Sequence, residues 1–156
     1  MSAVHKPYSQ YMSSCQLFLM KKEGKKTMVL LQKRKGGWGD GLWEAGASGH
    51  IDHGESPVDA IIHEAKEELC IKISKKDVVF FSVINKHASK KDIFYNFSFY
   101  CEKWTGVPKI GEEDKISDIK WFDIKKLPKN IICDRKIALG NFLNKKYYDE
   151  YYIKNN

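Results

Sequence analysis

The sequence predicts an α+β fold, a sandwich in which a mixed β-sheet lies between helices. Three observations point there. Two apolar runs, Leu17 to Met20 and Met28 to Leu31, flank a turn carrying Gly24 and read as a hairpin. The segment from Ser56 to Leu69 carries its apolar residues at helical spacing. Runs rich in β-branched and aromatic residues follow, so strands stand on both sides of one central helix, with another helix near the end.

Taken in order, residues 1–12 read as a poorly ordered lead-in, and "CQLFLMKKEGKKTMVLLQKR" as the hairpin. "KGGWGDGLWEAGASGH" holds five glycines before Gly49 and reads as loop. The central helix comes next, then two strands, "VVFFSVINKH" and "IFYNFSFYCEKW". "TGVPKIGEEDK" is loop material, "ISDIKWFDI" a strand, and "DRKIALGNFLNKKYYDEYY" a closing helix. No linker divides the chain, so residues 13–147 form one domain and 148–156 a C-terminal tail. The aromatic tail "KKYYDEYYIKNN" either extends the last helix or docks on a partner.

A chain of 156 residues with 42% hydrophobic and 13% aromatic content can bury a core of its own. Nothing in it is long and apolar enough to span a bilayer, and no secretory signal is visible at the start, so the expected compartment is the cytoplasm. Cys15, Cys70, Cys101 and Cys133 lie far apart without a Cys-x-x-Cys pair, which argues against a structural zinc site and for reduced thiols. The net charge is +7, with lysines in small clusters. Two readings stand: solvated loops on a lysine-rich surface, or a positive field that attracts an anionic substrate such as a nucleotide or RNA.

The acids are distributed differently. Glu55, Glu64, Glu67 and Glu68 fall within the short span Gly49 to Ile71, where Lys66 is the only lysine. Ser56 suits the helix N-cap, Pro57 its first position, and Asp59 the first turn, where the helix dipole favours negative charge. With Val58 at zero on a helical wheel, Ile61, Ile62, Ala65 and Leu69 fall between roughly 300° and 40° and form the docking stripe. Glu68, Glu64 and Glu67 fall near roughly 280°, 240° and 180°, an acidic stripe against the apolar edge. Such a face is often merely solvated. Here Glu68 and Glu64 are expected to be shielded, and like charges at i, i+4 repel. A hard divalent cation such as Mg²⁺, which prefers carboxylate oxygens and keeps waters, would remove that repulsion.

The same stretch resembles the Nudix box, G-x5-E-x7-R-E-U-x-E-E-x-G-U with U a bulky aliphatic residue. Gly49, Glu55, Glu64, Glu67, Glu68 and Ile71 match in register. "GLWEAGASGH" upstream and "WFDIKKLP" near the end also fit, so the resemblance covers roughly residues 14–146. His63 stands where the family has arginine, Cys70 replaces the second glycine, and Ala65 is small for the aliphatic position. Histidine cannot copy the bidentate fork of arginine. The missing glycine implies either a strained left-handed Cys70 or a different helix end.

The resemblance implies a Nudix-like α/β/α sandwich with a mixed central sheet. It also implies hydrolysis of a nucleoside diphosphate linked to a further group. By position, Glu64, Glu67 and Glu68 would be catalytic and ligate Mg²⁺, or Mn²⁺ as its substitute, with Glu64 orienting or deprotonating water. Glu55 and His63 would support the site, and a carbonyl of Ser48 or Gly49 would complete the metal shell. "EKWTGVPKIGEEDK" resembles a loop of mutator-type nucleoside triphosphate pyrophosphohydrolases and puts Glu112, or failing it Glu113, at a further metal position. Arg34, Ser48, Gly49 and His50 are candidate substrate contacts, as is His53, and Trp38, Trp43 and Phe94 are candidates for stacking on a base.

The expected substrate is a nucleoside triphosphate. ADP-ribose, dinucleoside polyphosphates and RNA 5′ ends are alternatives within the enzyme class, and a non-catalytic nucleotide- or RNA-binding module is the alternative outside it. An isopentenyl diphosphate isomerase is disfavoured, because its cysteine-bearing motif is not found upstream of the box. No membrane partner is expected, and the oligomeric state is open.

Overall fold

The computed structural model describes residues 11–153. Residues 1–10 of the expected lead-in and 154–156 of the tail lie outside the described range. The chain runs through β1 (Met12–Glu23), β2 (Lys26–Arg34), β3 (Trp43–Ala45), β4 (Ala47–His50) and α1 (Pro57–Leu69). A 3-10 turn at Lys75–Asp77 leads to β5 (Val79–His87), β6 (Ile93–Cys101) and β7 (Ile116–Asp123). The last elements are α2 (Cys133–Asn144) and β8 (Tyr148–Tyr152).

The sheet is mixed, in the order β3-β2-β1-β6-β5-β8, with β4 also pairing β1 and β7 also pairing β2. β1 and β6 run parallel, as do β5 and β8, and the other pairs are antiparallel. Alternate side chains of one strand point to opposite faces. β1 shows the consequence: Leu17 and Leu19 join the core under α1, whereas Phe18 and Met20 join the core that also contains Ala138 and Leu139 of α2. A strand covered on both faces is apolar without interruption, which is why Leu17 to Met20 lacks a polar alternation. The α/β/α sandwich implied by the sequence is the observed architecture.

Helix α1 begins as its sequence dictates. The Ser56 Oγ accepts the Asp59 N–H at 3.1 Å, with Pro57 in the first turn. Ile61, Ala65 and Leu69 are buried against the sheet, and Ile62 is half-buried. The helix ends with Cys70 in the left-handed region at φ 56°, its N–H bonded to the Lys66 carbonyl. Cys70 thus takes the conformation a glycine would favour, at a cost of about 1 kcal/mol.

Two expectations are corrected. The glycine-rich stretch is not all loop, for it supplies β3 and β4, whose Trp43, Glu44, Ala45 and Ala47 are buried. The closing helix does not run on to Tyr152. It stops at Asn144, where Lys145 turns left-handed at φ 54°, and residues 148–152 form β8 beside β5. Tyrosines favour a pleated surface, and exposure alternates along β8, so strand pairing prevails over helical continuation.

Candidate active site

Strand β4 and helix α1 bring the acidic residues to one cleft. Gly49 on β4 lies directly under Glu64, and a Cβ there would fall 1.9 Å from the Glu64 Oε1. The glycine of the motif is therefore a matter of space. Glu68, 7% exposed, is the deepest acid of the helix. Its Oε2 accepts the Ser48 N–H at 2.8 Å and the Gln32 Nε2 at 3.1 Å.

Glu112 reaches the same cleft because its loop caps α1. The Lys109 and Gly111 N–H groups donate to the Leu69 and Glu68 carbonyls at 3.1 and 2.9 Å, satisfying groups that a helix end leaves open. Gly111 permits this approach, since a Cβ would fall 1.9 Å from the Glu67 carbonyl oxygen. Lys115 holds Glu112 by an ion pair of 2.7 Å.

The cleft has a volume of about 650 Å³. Of the residues singled out in the sequence, Arg34, Ser48, Gly49, His50, Glu64, Glu68 and Glu112 line it, together with Trp38 and Phe94. Glu67 is exposed and outside the lining, as is Glu113. Glu55 and His63 also lie outside it and bond to each other, Nδ1 to Oε1, at 2.6 Å. Trp43 is 7% exposed and belongs to the core. His53 is exposed outside the lining.

A buried polar chain forms the other end of the cleft, and none of its members except Arg34 was singled out in the sequence. Glu44 on β3 accepts from Gln32 at 3.0 Å and pairs with Arg34 at 3.1 Å and Arg135 at 3.4 Å. Arg135 also pairs with Asp134 at 2.8 Å, and Asp134 with Lys86 at 3.4 Å. Asn96 donates to Asp134 at 3.4 Å. In the sequence Asp134 and Arg135 look like ordinary charges at a helix start. The only visible signal was Glu44, a charge between Trp43 and Ala45 in an otherwise small and apolar run.

The two ends differ in electrostatics. Burial, with Glu67 and Glu112 nearby, raises the Glu64 carboxyl to about 7. Burial, with Glu44 and Glu64 nearby, raises Glu68 to about 8, although the Ser48 N–H opposes the shift. Burial also disfavours an ionised Asp134, but Arg135 and Lys86 outweigh it and hold that carboxyl below its ordinary range. The α1 end is thus a set of carboxylates short of positive charge.

Among the described residues, no group of three or more His, Cys, Asp or Glu side chains is gathered closely enough to hold a metal ion by itself. The donor set is open instead, with Glu64 and Glu68 on one element, Glu112 on a loop, and the β4 backbone beside them. That chemistry fits Mg²⁺, which keeps several waters and combines one or two carboxylates with substrate phosphates.

The family model described as NUDIX domain matches residues 13–139. The chain belongs to this family and is accordingly a hydrolase of pyrophosphate bonds. No match is found among curated protein sequences. Among solved structures, a MutT NUDIX hydrolase from Burkholderia pseudomallei superposes with a TM-score of 0.71 at 25% identity, over 84% of this chain and 97% of that one. The NUDIX domain of Shewanella oneidensis NrtR, complexed with ADP ribose, gives 0.70 at 16% identity, over 92% and 94% of the two chains. A binary complex of a C. elegans Ap4A hydrolase gives 0.62 at 18% identity, over 84% and 96%. The latter two likenesses show the fold alone.

Proposed function

We propose that this Nudix hydrolase cleaves a pyrophosphate bond of a nucleoside triphosphate, with Mg²⁺ held by Glu64, Glu68 and Glu112. The observation that carries the reading is the pair of shielded carboxylates, Glu64 and Glu68, raised toward neutrality inside a cleft large enough for a nucleotide. The opposite end suits a base. Among the described residues, Asn96 and Asp134 each keep one buried side-chain oxygen without a partner, able to accept N–H groups. Trp38 and Phe94 offer aromatic surface in the same cleft.

Bound Mg²⁺, or Mn²⁺ in its place, supplies Lewis-acid neutralisation of the diphosphate charge. Glu64 orients the attacking water and takes its proton. Glu68, fixed by Ser48 and Gln32, and Glu112, fixed by Lys115, present carboxylate oxygens at set positions. Arg34 and His50 line the cleft and would contact the substrate, His50 beside Gly49 at the metal end and Arg34 at the opposite end. Glu67 is reserved for an outer role, since its side chain is exposed outside the cleft. No side chain needs to form a covalent intermediate.

ADP-ribose, dinucleoside polyphosphates and RNA 5′ ends share the same bond and stand as alternative substrates. The four cysteines, all free thiols, support residence in a reducing compartment such as the cytoplasm. The decisive experiment is a panel of these substrates incubated with Mg²⁺, with products resolved chromatographically and EDTA as control. Preferred, EDTA-sensitive cleavage of a nucleoside triphosphate to monophosphate and pyrophosphate is expected. Preferential cleavage of another member would reassign the substrate, and binding without turnover across the panel would overturn the assignment of these residues.

A further inference from the structure

We infer that Gln32, on β2, is the positioning residue for Glu68, holding that carboxylate from the sheet side. The inference rests on the reading of Glu68 as a metal-binding carboxylate.

The geometry is specific. Gln32 is 1% exposed, and it stands directly opposite Glu44 in the antiparallel register of β2 and β3. Its amide nitrogen serves two carboxylates at once, Glu44 Oε1 at 3.0 Å and Glu68 Oε2 at 3.1 Å. An amide group has two N–H donors, and both are used. The opposite flip would aim the amide oxygen at two carboxylates, so the hydrogen-bond chemistry selects the orientation observed. Among the described residues the buried Gln32 Oε1 has no partner, so the paired donors anchor the group.

The far side of the bridge is rigid as well. Glu44, 1% exposed, is clamped by Arg34 and Arg135, so the point from which Gln32 reaches out is itself fixed. On Glu68, Gln32 and the Ser48 N–H both bond Oε2, and among the described residues Oε1 has no hydrogen-bond donor. His63 takes no part, for its ring is spent on Glu55 and its side chain is 69% exposed.

The test is direct Mn²⁺ binding, read from the electron paramagnetic resonance signal of free ion, on the full chain and on Gln32→Met, which keeps the volume and removes the donors. Apparent Mn²⁺ affinity should fall about tenfold, as removal of an outer-shell partner does, while thermal unfolding shows the variant folded. Gln32→Asn, too short to bridge both carboxylates, is the second variant and should weaken binding likewise. Glu68→Gln separates the two readings. If Glu68→Gln leaves Mn²⁺ affinity unchanged, Glu68 is not a ligand and the metal reading fails. If Glu68→Gln weakens binding but a folded Gln32 variant does not, the positioning role fails. In the Glu68→Gln background the Gln32 substitution should add little, because it acts through Glu68. Full additivity, or failure of both Gln32 variants to fold, would overturn the inference in favour of a purely structural Gln32.

Discussion

Glu64 combines two conditions that rarely occur together, partial burial and acidic neighbours, and the backbone of Gly49 presses against it. Glu64→Gln keeps the shape and removes the base, so kcat should fall by about a hundredfold or more, while thermal unfolding shows the variant folded and, without metal at neutral pH, no less stable than wild type. Equal turnover by wild type and variant would sink the role assigned to it. The same carboxyls make stability depend on pH. Their folded pKa values, about 7 for Glu64 and about 8 for Glu68, exceed the ordinary 4.5. Between these limits the folded state binds protons that the unfolded state has released. Stability of the metal-free protein should therefore fall as pH rises from 4.5 to about 8 and level off above. Denaturant unfolding across that range in EDTA tests the sign. Glu68→Gln should flatten the slope, and a stability that rises through the window would refute the account. Residue identity alone disclosed the acids, since charge against an apolar edge is visible on a helical wheel. It did not disclose Gln32, Asp134 or Arg135, whose chemistry depends on neighbours far away in the chain.

At the scale of elements, the junction of α1 with the loop between β6 and β7 matters most. The loop caps the helix through Lys109 and Gly111 and thereby sets Glu112 across from Glu64. Gly111→Ala would drive a methyl group into the Glu67 carbonyl, costing about 2 kcal/mol and displacing Glu112. Calorimetry should show the lower stability, and the Mg²⁺ needed for half-maximal rate should rise; a variant unchanged in both would mean the loop adapts. Helix α1 was legible from capping, periodicity and acidic spacing because each is a local property. β3 and β4 were not, because glycine-rich sequence signals conformational freedom rather than pairing. They exist because β1 and β2 offer them ladders, Leu17 to Ala47 and Leu31 to Ala45 among the pairs.

Across the whole molecule, β8 closes one side of the sheet by pairing with β5. Tyr152 stacks on His87 with ring centroids 4.3 Å apart, and Tyr151 packs on the core beneath α2. Truncation after Tyr147 would bare the β5 edge, an invitation to association between chains. Loss of thermal stability and growth of oligomers in size-exclusion chromatography are expected, and a monomer of undiminished stability would refute that role for β8. The sequence by itself determined the sandwich, the helix that carries the acids and the family to which the chain belongs, because periodicity, caps and fixed motif spacing act over a few turns of chain. Tertiary structure alone decided that the last tyrosines form a strand, that Glu67 lies exposed outside the cleft, and that a glutamine from β2 grips Glu68. Those outcomes follow from which surfaces meet across the sheet, and a meeting of residues 36 positions apart, as Gln32 and Glu68 are, leaves no periodic trace in the chain.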